Sequence, residues 1–439
     1  MKLKAAPLAV AVSIFLSLKA SLLSVGFTTC YRREIDNEST EAIAALGDHH
    51  GLTLSSLWLS SQGRHPMQTL VLSSERGIAV AIGTVDFHSC PLPDYNKNDL
   101  QLSFEEQAFL PRELHHTMGT AGPLLVAFFN ITESLWDQQR QDPSVMKLWN
   151  GITKTTQELQ VLVDPAARAN APPHFLSAMT TVRKHYRYYR GLGKSENKTE
   201  SPSTWNASET QSMLTQWMDH HRSMGVSHFY VVDNEPDTSL PNLTISGSGV
   251  TYIRAPHMHY DTWNCKRNGY TVSGQSILEN SVIRFAHTKW LLICDIDEYV
   301  VLADRYDNSL VNFIEYFRSV HCRGVGDNPM ESIICRPLHE TAHKEVYAIS
   351  LSSFLMRPDN TIRNEMKFQR KTMLRPELTS RLEVHYPFAF NTSLDAEVSV
   401  PPQQGWLAHY NHNLYNATGF KMEELLPRAG IHSPNLRPN

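Results

Sequence analysis

Two aspartates follow an apolar stretch near the middle of the chain. The residues Trp290-Leu-Leu-Ile-Cys lead directly into Asp295, and Asp297 follows one residue later. In an extended chain, side chains two positions apart point to the same side, so these carboxylates would repel each other. A hard divalent cation such as Mn²⁺ or Mg²⁺ takes oxygen ligands and can bridge the two phosphates of a nucleoside diphosphate leaving group. The pair predicts a metal site, although an isolated Asp-x-Asp is often only a solvated turn, so the surrounding elements decide.

A second motif predicts a different chemistry. His339-Glu340-Thr-Ala-His343 fits HExxH, in which two histidines on one helical face bind zinc and the glutamate acts as a base. Pro337 permits only the start of a helix there, and no third ligand follows at the HxxGxxH spacing, although Glu365 is conceivable. A zinc metallopeptidase is therefore kept as an alternative.

The segment around the two aspartates alternates strands and helices, which is typical of an α/β fold. Apolar runs predict strands at 175–182, 228–233, 250–254 and from residue 290, with helices between them. In mostly parallel sheets, ligands bind beyond the carboxyl ends of the strands. Asp233 ends one strand as Asp295 and Asp297 end another, so we expect three carboxylates at one edge of the sheet.

The preceding segment has a different pattern. Short apolar runs separated by turn residues are typical of strands in an antiparallel β-rich module, and they lie at 52–59, 69–72, 78–85, 124–129 and 159–163. Residues 164–173 are rich in Ala and Pro and predict a linker. We therefore expect a β-rich accessory domain at 51–170 and an α/β domain at 171–425.

The N-terminus predicts entry into the secretory pathway. A basic start precedes an apolar run at 5–18, and Lys19 separates it from a second apolar stretch at 20–27. The first run alone has the length of a signal peptide, and both together reach the ~20 residues that span a bilayer. We expect a signal-anchor at 1–29 and a stem at 30–50, with a cleaved signal peptide and secretion as the alternative.

Glycosylation sequons support the same topology. Seven Asn-x-Ser/Thr sequons are spread over the chain, which is expected of a lumenal glycoprotein. They begin at Asn37, Asn130, Asn197, Asn206, Asn242, Asn391 and Asn416.

Composition argues against other classes of protein. The formal net charge of -4 gives no basic excess for nucleic acid. The six cysteines include no CxxC motif, which argues against a cysteine-rich zinc site and a disulfide scaffold.

Several blocks of the sequence resemble glycosyltransferase family 92, in the same order. They are Leu214-Thr-Gln-Trp-Met-Asp-His-His, the segment from Met224 to Asn234, the segment from Gln275 to Tyr299 with its Asp-Ile-Asp-Glu-Tyr, Lys371-Thr-Met-Leu-Arg-Pro, His385, and Leu407-Ala-His-Tyr. The resemblance covers about residues 175–412. Residues 333–343 depart from the family pattern because they contain no glycine.

The resemblance implies a GT-A fold, which is a Rossmann-like, mostly parallel sheet with flanking helices. It also implies an inverting transfer from a UDP-sugar, often UDP-galactose, to a glycan or glycoprotein acceptor. The implied setting is the Golgi membrane, as a single-pass type II protein with a lumenal catalytic domain. By position, the implied site residues are Asp295, Asp297 and His409 for Mn²⁺ or Mg²⁺, Lys371 and Arg375 for the donor phosphates, and Asp233 for the nucleoside.

Inversion requires a base that takes the proton from the acceptor hydroxyl. Glu340 is the candidate, because it follows a predicted strand downstream of the metal block, and Glu331 and Glu365 are alternatives. A non-enzyme alternative is a lumenal glycan-binding protein that has lost catalysis. Both aspartates of the pair are present, which argues against that loss.

Overall fold

A computed structural model describes the chain in separate stretches. These are residues 52–53, 67–73, 75–83, 95–119, 122–182, 207–233, 249–254, 274–324, 333–337, 345–357, 362–383, 386–391 and 395–410. The predicted anchor (1–29) and stem (30–50) lie outside them. Within these stretches, no helix has both the length and the apolar character needed to cross a bilayer.

The described residues form mostly strands and a few helices. The strands are β1 (Leu52–Thr53), β2 (Met67–Leu72), β3 (Ile78–Gly83), β4 (Leu100–Phe104), β5 (Gln107–Phe109), β6 (Pro111–Gly119), β7 (Gly122–Asn130), β8 (Val145–Asn150), β9 (Thr155–Leu162), β10 (His174–Val182), β11 (His228–Asp233), β12 (Val250–Arg254), β13 (Thr288–Ile293), β14 (Glu298–Leu302), β15 (Val320–Gly324), β16 (Ile333–Pro337), β17 (Glu345–Met356), β18 (Ile362–Leu374), β19 (Thr379–Glu383), β20 (Tyr386–Ala389), β21 (Asp395–Ser399) and β22 (Gly405–His409). The α-helices are α1 (Glu133–Gln141), α2 (Pro165–Arg168), α3 (Ala207–Ser223), α4 (Gly274–Phe285) and α5 (Leu310–Ser319).

A parallel unit forms one half of a ten-stranded sheet. Its strands lie in the order β12-β11-β10-β13, with α3 between β10 and β11 in sequence and α4 between β12 and β13. Side chains along β13 alternate between the two faces: Trp290 and Leu292 pack with α3 and α5, whereas Leu291 and Ile293 pack with α4. Both faces of the unit are therefore covered, as buried parallel strands require.

The other half of this sheet is largely antiparallel. The order continues from β13 through β18, β17 and β22 to β14, and β21 pairs in parallel with β17. The apolar segment expected to continue as one strand into the aspartates instead breaks: β13 ends at Ile293, and β14 begins at Glu298 on the far side of β22. The Asp295–Asp297 turn therefore lies where the chain leaves the parallel unit.

The segment before the parallel unit forms an eight-stranded sheet. Its order is β5-β4-β8-β9-β2-β3-β7-β6, and every described pair is antiparallel except β2 with β9. Leu52 and Thr53, which were expected in this β-rich module, instead pair in parallel with β12 at the edge of the ten-stranded sheet. The module is therefore β-rich as predicted, but its first predicted strand belongs elsewhere.

The eight-stranded sheet and α4 share one core. One face of β3 and β7 packs on α1, whereas Val80 and Val126 on the other face pack with Leu278 and Val282 of α4. A buried hydrogen bond of 2.9 Å joins Thr69 Oγ1 to Ser281 Oγ across this contact. The helix that leads into β13 and the aspartates is thus held by both sheets.

The predicted linker contains a buried aspartate, Asp164, that forms hydrogen bonds to several elements. Asp164 caps α2 through a 2.7 Å bond from the Ala166 N–H, and Pro165 occupies the first helical position. The other carboxylate oxygen of Asp164 accepts from the Tyr230 hydroxyl at 2.6 Å and the His287 N–H at 3.0 Å. The described part of the chain is a mixed α/β protein, as predicted; the GT-A assignment and the domain boundaries stay predictions.

Candidate active site at the Asp295–Asp297 turn

The turn after β13 is fixed by backbone and carboxylate hydrogen bonds. The Asp295 N–H donates to Glu298 Oε2 at 2.8 Å, and the Glu298 N–H donates to the Asp295 carbonyl at 3.0 Å. The Asp297 carbonyl accepts from the Tyr410 N–H at 2.9 Å, just beyond the end of β22. Both aspartate side chains are thereby held at the carboxyl end of β13, as predicted, and both remain partly exposed.

Lys371 reaches this turn from β18. Leu292 and Ile293 of β13 pair with Met373 and Thr372, which brings Lys371 to the level just after β13 ends. Its Nζ lies 2.9 Å from Asp295 and 3.2 Å from Glu298, and its side chain is 3% exposed. Lys371 was expected to face the donor phosphates. Its ammonium group neutralises the carboxylates of Asp295 and Glu298 from the buried side of the turn.

His409 approaches from β22. In the antiparallel pairing of β14 and β22 it lies directly opposite Glu298. Its Nε2 is 3.6 Å from Asp297 Oδ2, and its Nδ1 is 3.5 Å from Glu298 Oε1. Burial lowers the pKa of His409, but the charges of Asp297, Glu298 and Asp295 outweigh it and raise the pKa to about 9.

Glu298 was not predicted as a site residue, yet it contacts Asp295, Lys371 and His409. Its side chain is fully buried and touches Lys371, His409 and the backbone of Asp295. Burial raises its pKa, with a further rise from the Asp295 and Asp297 charges, while Lys371 and His409 lower it. A signal was available in the sequence: this carboxylate opens the otherwise apolar run Glu-Tyr-Val-Val-Leu directly after Asp-Ile-Asp.

We call Asp295, Asp297, Glu298, Lys371 and His409 together the acidic site. Three carboxylates face one lysine and one histidine, so the site carries an excess of negative charge that favours a cation. In the described stretches, no three His, Cys, Asp or Glu side chains are placed to hold a metal ion together. Mg²⁺ and similar ions, however, commonly use one or two carboxylates and complete their shell with substrate phosphates and water. Asp297 and His409 fit such a partial ligand set, because both have partly exposed side chains that face each other.

Aromatic side chains pack on the buried side of the acidic site. Tyr299 and Tyr410 are buried with ring centroids 5.9 Å apart, and His220 of α3 contacts the backbone carbonyl of Val300 through its Nε2 at 2.8 Å. Burial raises the pKa of Tyr299 well above its usual value, and the Asp297 charge raises it further. These contacts fix β14 from the side opposite Glu298 and keep water away from the back of the site.

Asp233 lies at the same edge of the sheet. It ends β11, is fully buried and accepts a hydrogen bond from the Tyr252 hydroxyl. Asp233 pairs with Val182 of β10, and Met179 of β10 pairs with Ile293 of β13. Asp233 and the Asp295–Asp297 turn therefore both lie at the carboxyl ends of the parallel strands. Two strand spacings separate them, roughly 10 Å. The predicted convergence of the three carboxylates at this edge is present.

Arg375 is not part of this group. It follows β18 four residues after Lys371, which corresponds to about 13 Å along a strand, and so lies toward the amino end of β13. Its guanidinium pairs with Glu345 and Glu377, each at 2.8 Å. The structure does not bring Arg375 to the acidic site.

The remaining sequence candidates cannot be placed. Glu340, Glu331 and the HExxH segment (residues 339–343) lie outside the described residues, as does His385. Glu365 lies in β18, where its backbone pairs with Phe354 but its side chain is not described. The assignment of the base and the peptidase alternative therefore stay hypotheses.

Comparison with known proteins identifies a family for this chain. No curated protein matches the chain. One similar solved structure is a siderophore-interacting protein from Acinetobacter baumannii, with 12% identity and a TM-score of 0.13 over 52% of this chain and 76% of that one. That TM-score is too low to support any inference about fold or function. A family model for glycosyltransferase family 92 matches residues 201–434, just over half of the chain and a span that includes the acidic site and Asp233. The chain belongs to glycosyltransferase family 92, whose members transfer a sugar from a nucleotide-sugar donor to a glycan acceptor.

Proposed function

We propose that this glycosyltransferase moves galactose from UDP-galactose to a glycan hydroxyl with inversion, assisted by Mn²⁺ or Mg²⁺ at the acidic site. The observation that carries the proposal is the convergence of Asp295, Asp297 and His409 beyond the carboxyl end of β13. A site with excess negative charge holds a diphosphate only together with a cation, because the two anions would otherwise repel. The choice of UDP and of galactose rests on the family resemblance.

A GT-A arrangement is supported by the strand order. If the strands of the parallel unit are numbered along the chain, β10 to β13 become strands 1 to 4. Their spatial order β12-β11-β10-β13 is then 3-2-1-4, which is the order in one half of a dinucleotide-binding sheet. The order reverses between β10 and β13, and ligands in such sheets bind at that reversal. Asp295 and Asp297 follow β13 there, and Asp233 is the last residue of β11 on the other side. We assign the diphosphate to the first pair and the nucleoside to the neighbourhood of Asp233.

Each residue then has a separate task. Asp297 and His409 would hold the metal, which when bound neutralises the charge that develops on the UDP leaving group. Asp295 adds negative charge to the same pocket while Lys371 balances it from the buried side. The base would take the proton of the acceptor hydroxyl as it attacks from the face opposite UDP. Glu340 is kept for that task, with Glu331 and Glu365 as alternatives.

We further propose a lumenal Golgi location with residues 1–29 as a membrane anchor. The asparagines of two sequons are described residues, and the side chains of Asn130 and Asn391 are both exposed. An exposed asparagine is what glycosylation requires. Secretion after cleavage of the N-terminal segment remains the alternative.

The test is transfer by the purified full-length chain. We would incubate it with a panel of UDP-sugars and a mixed glycan acceptor library, with Mn²⁺ or with EDTA, and determine the anomeric configuration of the product by NMR. Metal-dependent transfer of galactose with inversion is expected, and Asp297→Asn should lower it at least 100-fold, a loss of about 3 kcal/mol of transition-state stabilisation. Asp304→Asn, an exposed aspartate beyond β14, is the matched control and should be fully active.

Two results would contradict the proposal. Transfer that is unchanged by EDTA and by Asp297→Asn would remove the metal from the mechanism. Stoichiometric zinc that is lost in His339→Ala, together with no UDP binding under any condition, would instead favour the peptidase.

A further inference from the structure

One imidazole lies between two carboxylates of the acidic site. His409 and Glu298 are direct cross-strand neighbours in β14 and β22, a position in which Cβ atoms lie about 5 Å apart. The two ring nitrogens of His409 face different partners: Nδ1 is 3.5 Å from Glu298, and Nε2 is 3.6 Å from Asp297. The ring therefore has one side turned toward the buried glutamate and the other toward the partly exposed aspartate.

Glu298 is itself rigidly held. Its Oε2 accepts the Asp295 N–H at 2.8 Å and lies 3.2 Å from Lys371 Nζ. Its Oε1 and the Nδ1 of His409 are both buried, and within the described stretches neither has a hydrogen-bond partner. Buried polar atoms are nearly always paired in native proteins. Since these two atoms face each other at 3.5 Å, a shift of a few tenths of an ångström would join them.

We propose that Glu298 is a positioning residue that orients His409 for metal binding. A bond from Nδ1–H to Glu298 would make Nε2 the nitrogen that releases its proton when a metal binds, with its lone pair directed at the space beside Asp297. Metal-binding histidines are commonly oriented in this way by a carboxylate on their second nitrogen, and loss of that carboxylate costs 10- to 100-fold in metal affinity. The inference rests on the proposed function, because it assigns His409 as a ligand.

A double-variant cycle tests whether Glu298 acts through His409. Mn²⁺ binding to the full-length chain with saturating UDP would be measured by the loss of the free Mn²⁺ EPR signal. Glu298→Gln should weaken binding by 10- to 100-fold, whereas in a His409→Ala background it should weaken binding less than twofold. Glu397→Gln is the matched control, because this carboxylate of β21 bonds to Ser350 in the same sheet.

A second variant separates orientation from charge. Glu298→Asp keeps the charge that balances Lys371 but retracts the carboxylate from His409 by one methylene. We expect it to weaken Mn²⁺ binding as well, and to raise the Mn²⁺ concentration for half-maximal transfer. Thermal unfolding of each metal-free variant would show that the chain still folds.

The outcomes distinguish this inference from the proposed function. If the native chain binds Mn²⁺ with UDP but Glu298→Gln binds equally well, the positioning role is wrong and the proposed function stands. If Glu298→Gln weakens binding as much without His409 as with it, the glutamate acts through charge alone, which also overturns the positioning role. If the native chain binds no Mn²⁺ with UDP, both are overturned.

Discussion

The ammonium group of Lys371 lies 2.9 Å from the Asp295 carboxylate, although Lys371 is 3% exposed and Asp295 faces the site. The same ammonium lies 3.2 Å from Glu298, which is completely buried. A buried carboxylate is stable in its charged form only when a partner compensates it. Lys371, the lysine of the Lys-x-x-x-Arg-Pro block, thus compensates the negative charges of Asp295 and Glu298 from the buried side of the acidic site.

Replacing Lys371 by methionine should destabilise the fold. The change leaves Glu298 buried without its main counter-charge, and breaking a buried ion pair in this way costs about 3–5 kcal/mol. Urea denaturation followed by tryptophan fluorescence would measure the loss. The double variant Lys371→Met/Glu298→Gln should be more stable than Lys371→Met alone.

Lys289→Met is the control for this prediction. Lys289 lies in β13 and is exposed, so its loss should cost less than about 0.5 kcal/mol. Equal destabilisation by the two lysine variants would show that the buried pairs of Lys371 contribute nothing.

Arg375→Ala should leave donor binding intact. The guanidinium is paired with Glu345 and Glu377 at the end of β18 away from the turn. It therefore does not reach the proposed diphosphate site. Steady-state kinetics should show a KM for the UDP-sugar within twofold of the native value. A tenfold rise in that KM would support the role implied by the family resemblance and contradict the placement seen here.

Local pattern predicted the parallel unit well. β11 and β12 have the predicted bounds, and β10 begins one residue earlier than predicted. Each is a short run of apolar and β-branched residues covered on both faces, so its sequence signal does not depend on distant partners. The three predicted carboxylates lie at one edge of the sheet because the carboxyl ends of parallel strands share it.

Contacts set by distant pairing could not be predicted. Glu298 meets His409 only because β14 pairs with β22, more than 100 residues later in the chain, and nothing in either segment specifies that register. Lys371 and Arg375 are four residues apart, a spacing that places both on one face of a strand but leaves open which end reaches the site. The break between β13 and β14 likewise depends on the hydrogen bonds that Glu298 makes to the turn.

The buried bond between Tyr230 and Asp164 should stabilise the fold without affecting catalysis. It joins β11 to the start of α2 at 2.6 Å, and both groups also accept from the N–H of His287, just before β13 begins. Tyr230→Phe leaves the carboxylate with one donor fewer, which should cost about 1.5–3 kcal/mol in urea denaturation. The value of kcat should stay within twofold.

Tyr386→Phe is the matched control for that change. The Tyr386 side chain is 39% exposed, so loss of its hydroxyl should alter stability by less than about 0.5 kcal/mol. If Tyr230→Phe is equally harmless, the hydrogen bond between Tyr230 and Asp164 does not stabilise the fold.

His228 should make the fold less stable in mild acid. Its ring stacks on His174 at 4.5 Å, and its Nε2 lies 2.9 Å from Thr251 Oγ1. Burial, and then the His174 charge, lower its pKa from 6.5 to about 4. Between these two values the unfolded chain binds a proton that the folded chain does not, so stability falls as pH falls from 6.5 toward 4. Above 6.5 neither state is protonated at His228, and the loss is absent.

The size of this effect follows from the two pKa values. Between pH 7.5 and pH 5, His228 should account for about 2 kcal/mol of lost stability. His228→Gln keeps a hydrogen-bonding group beside Thr251 but cannot titrate, so its urea midpoint should depend less on pH than that of the native chain. Histidines that do not contact His228 contribute equally to both proteins, and the difference between the two curves therefore reports His228 together with its stacked neighbour His174. Parallel curves across this pH range would show that His228 is protonated as readily in the folded chain as in the unfolded one.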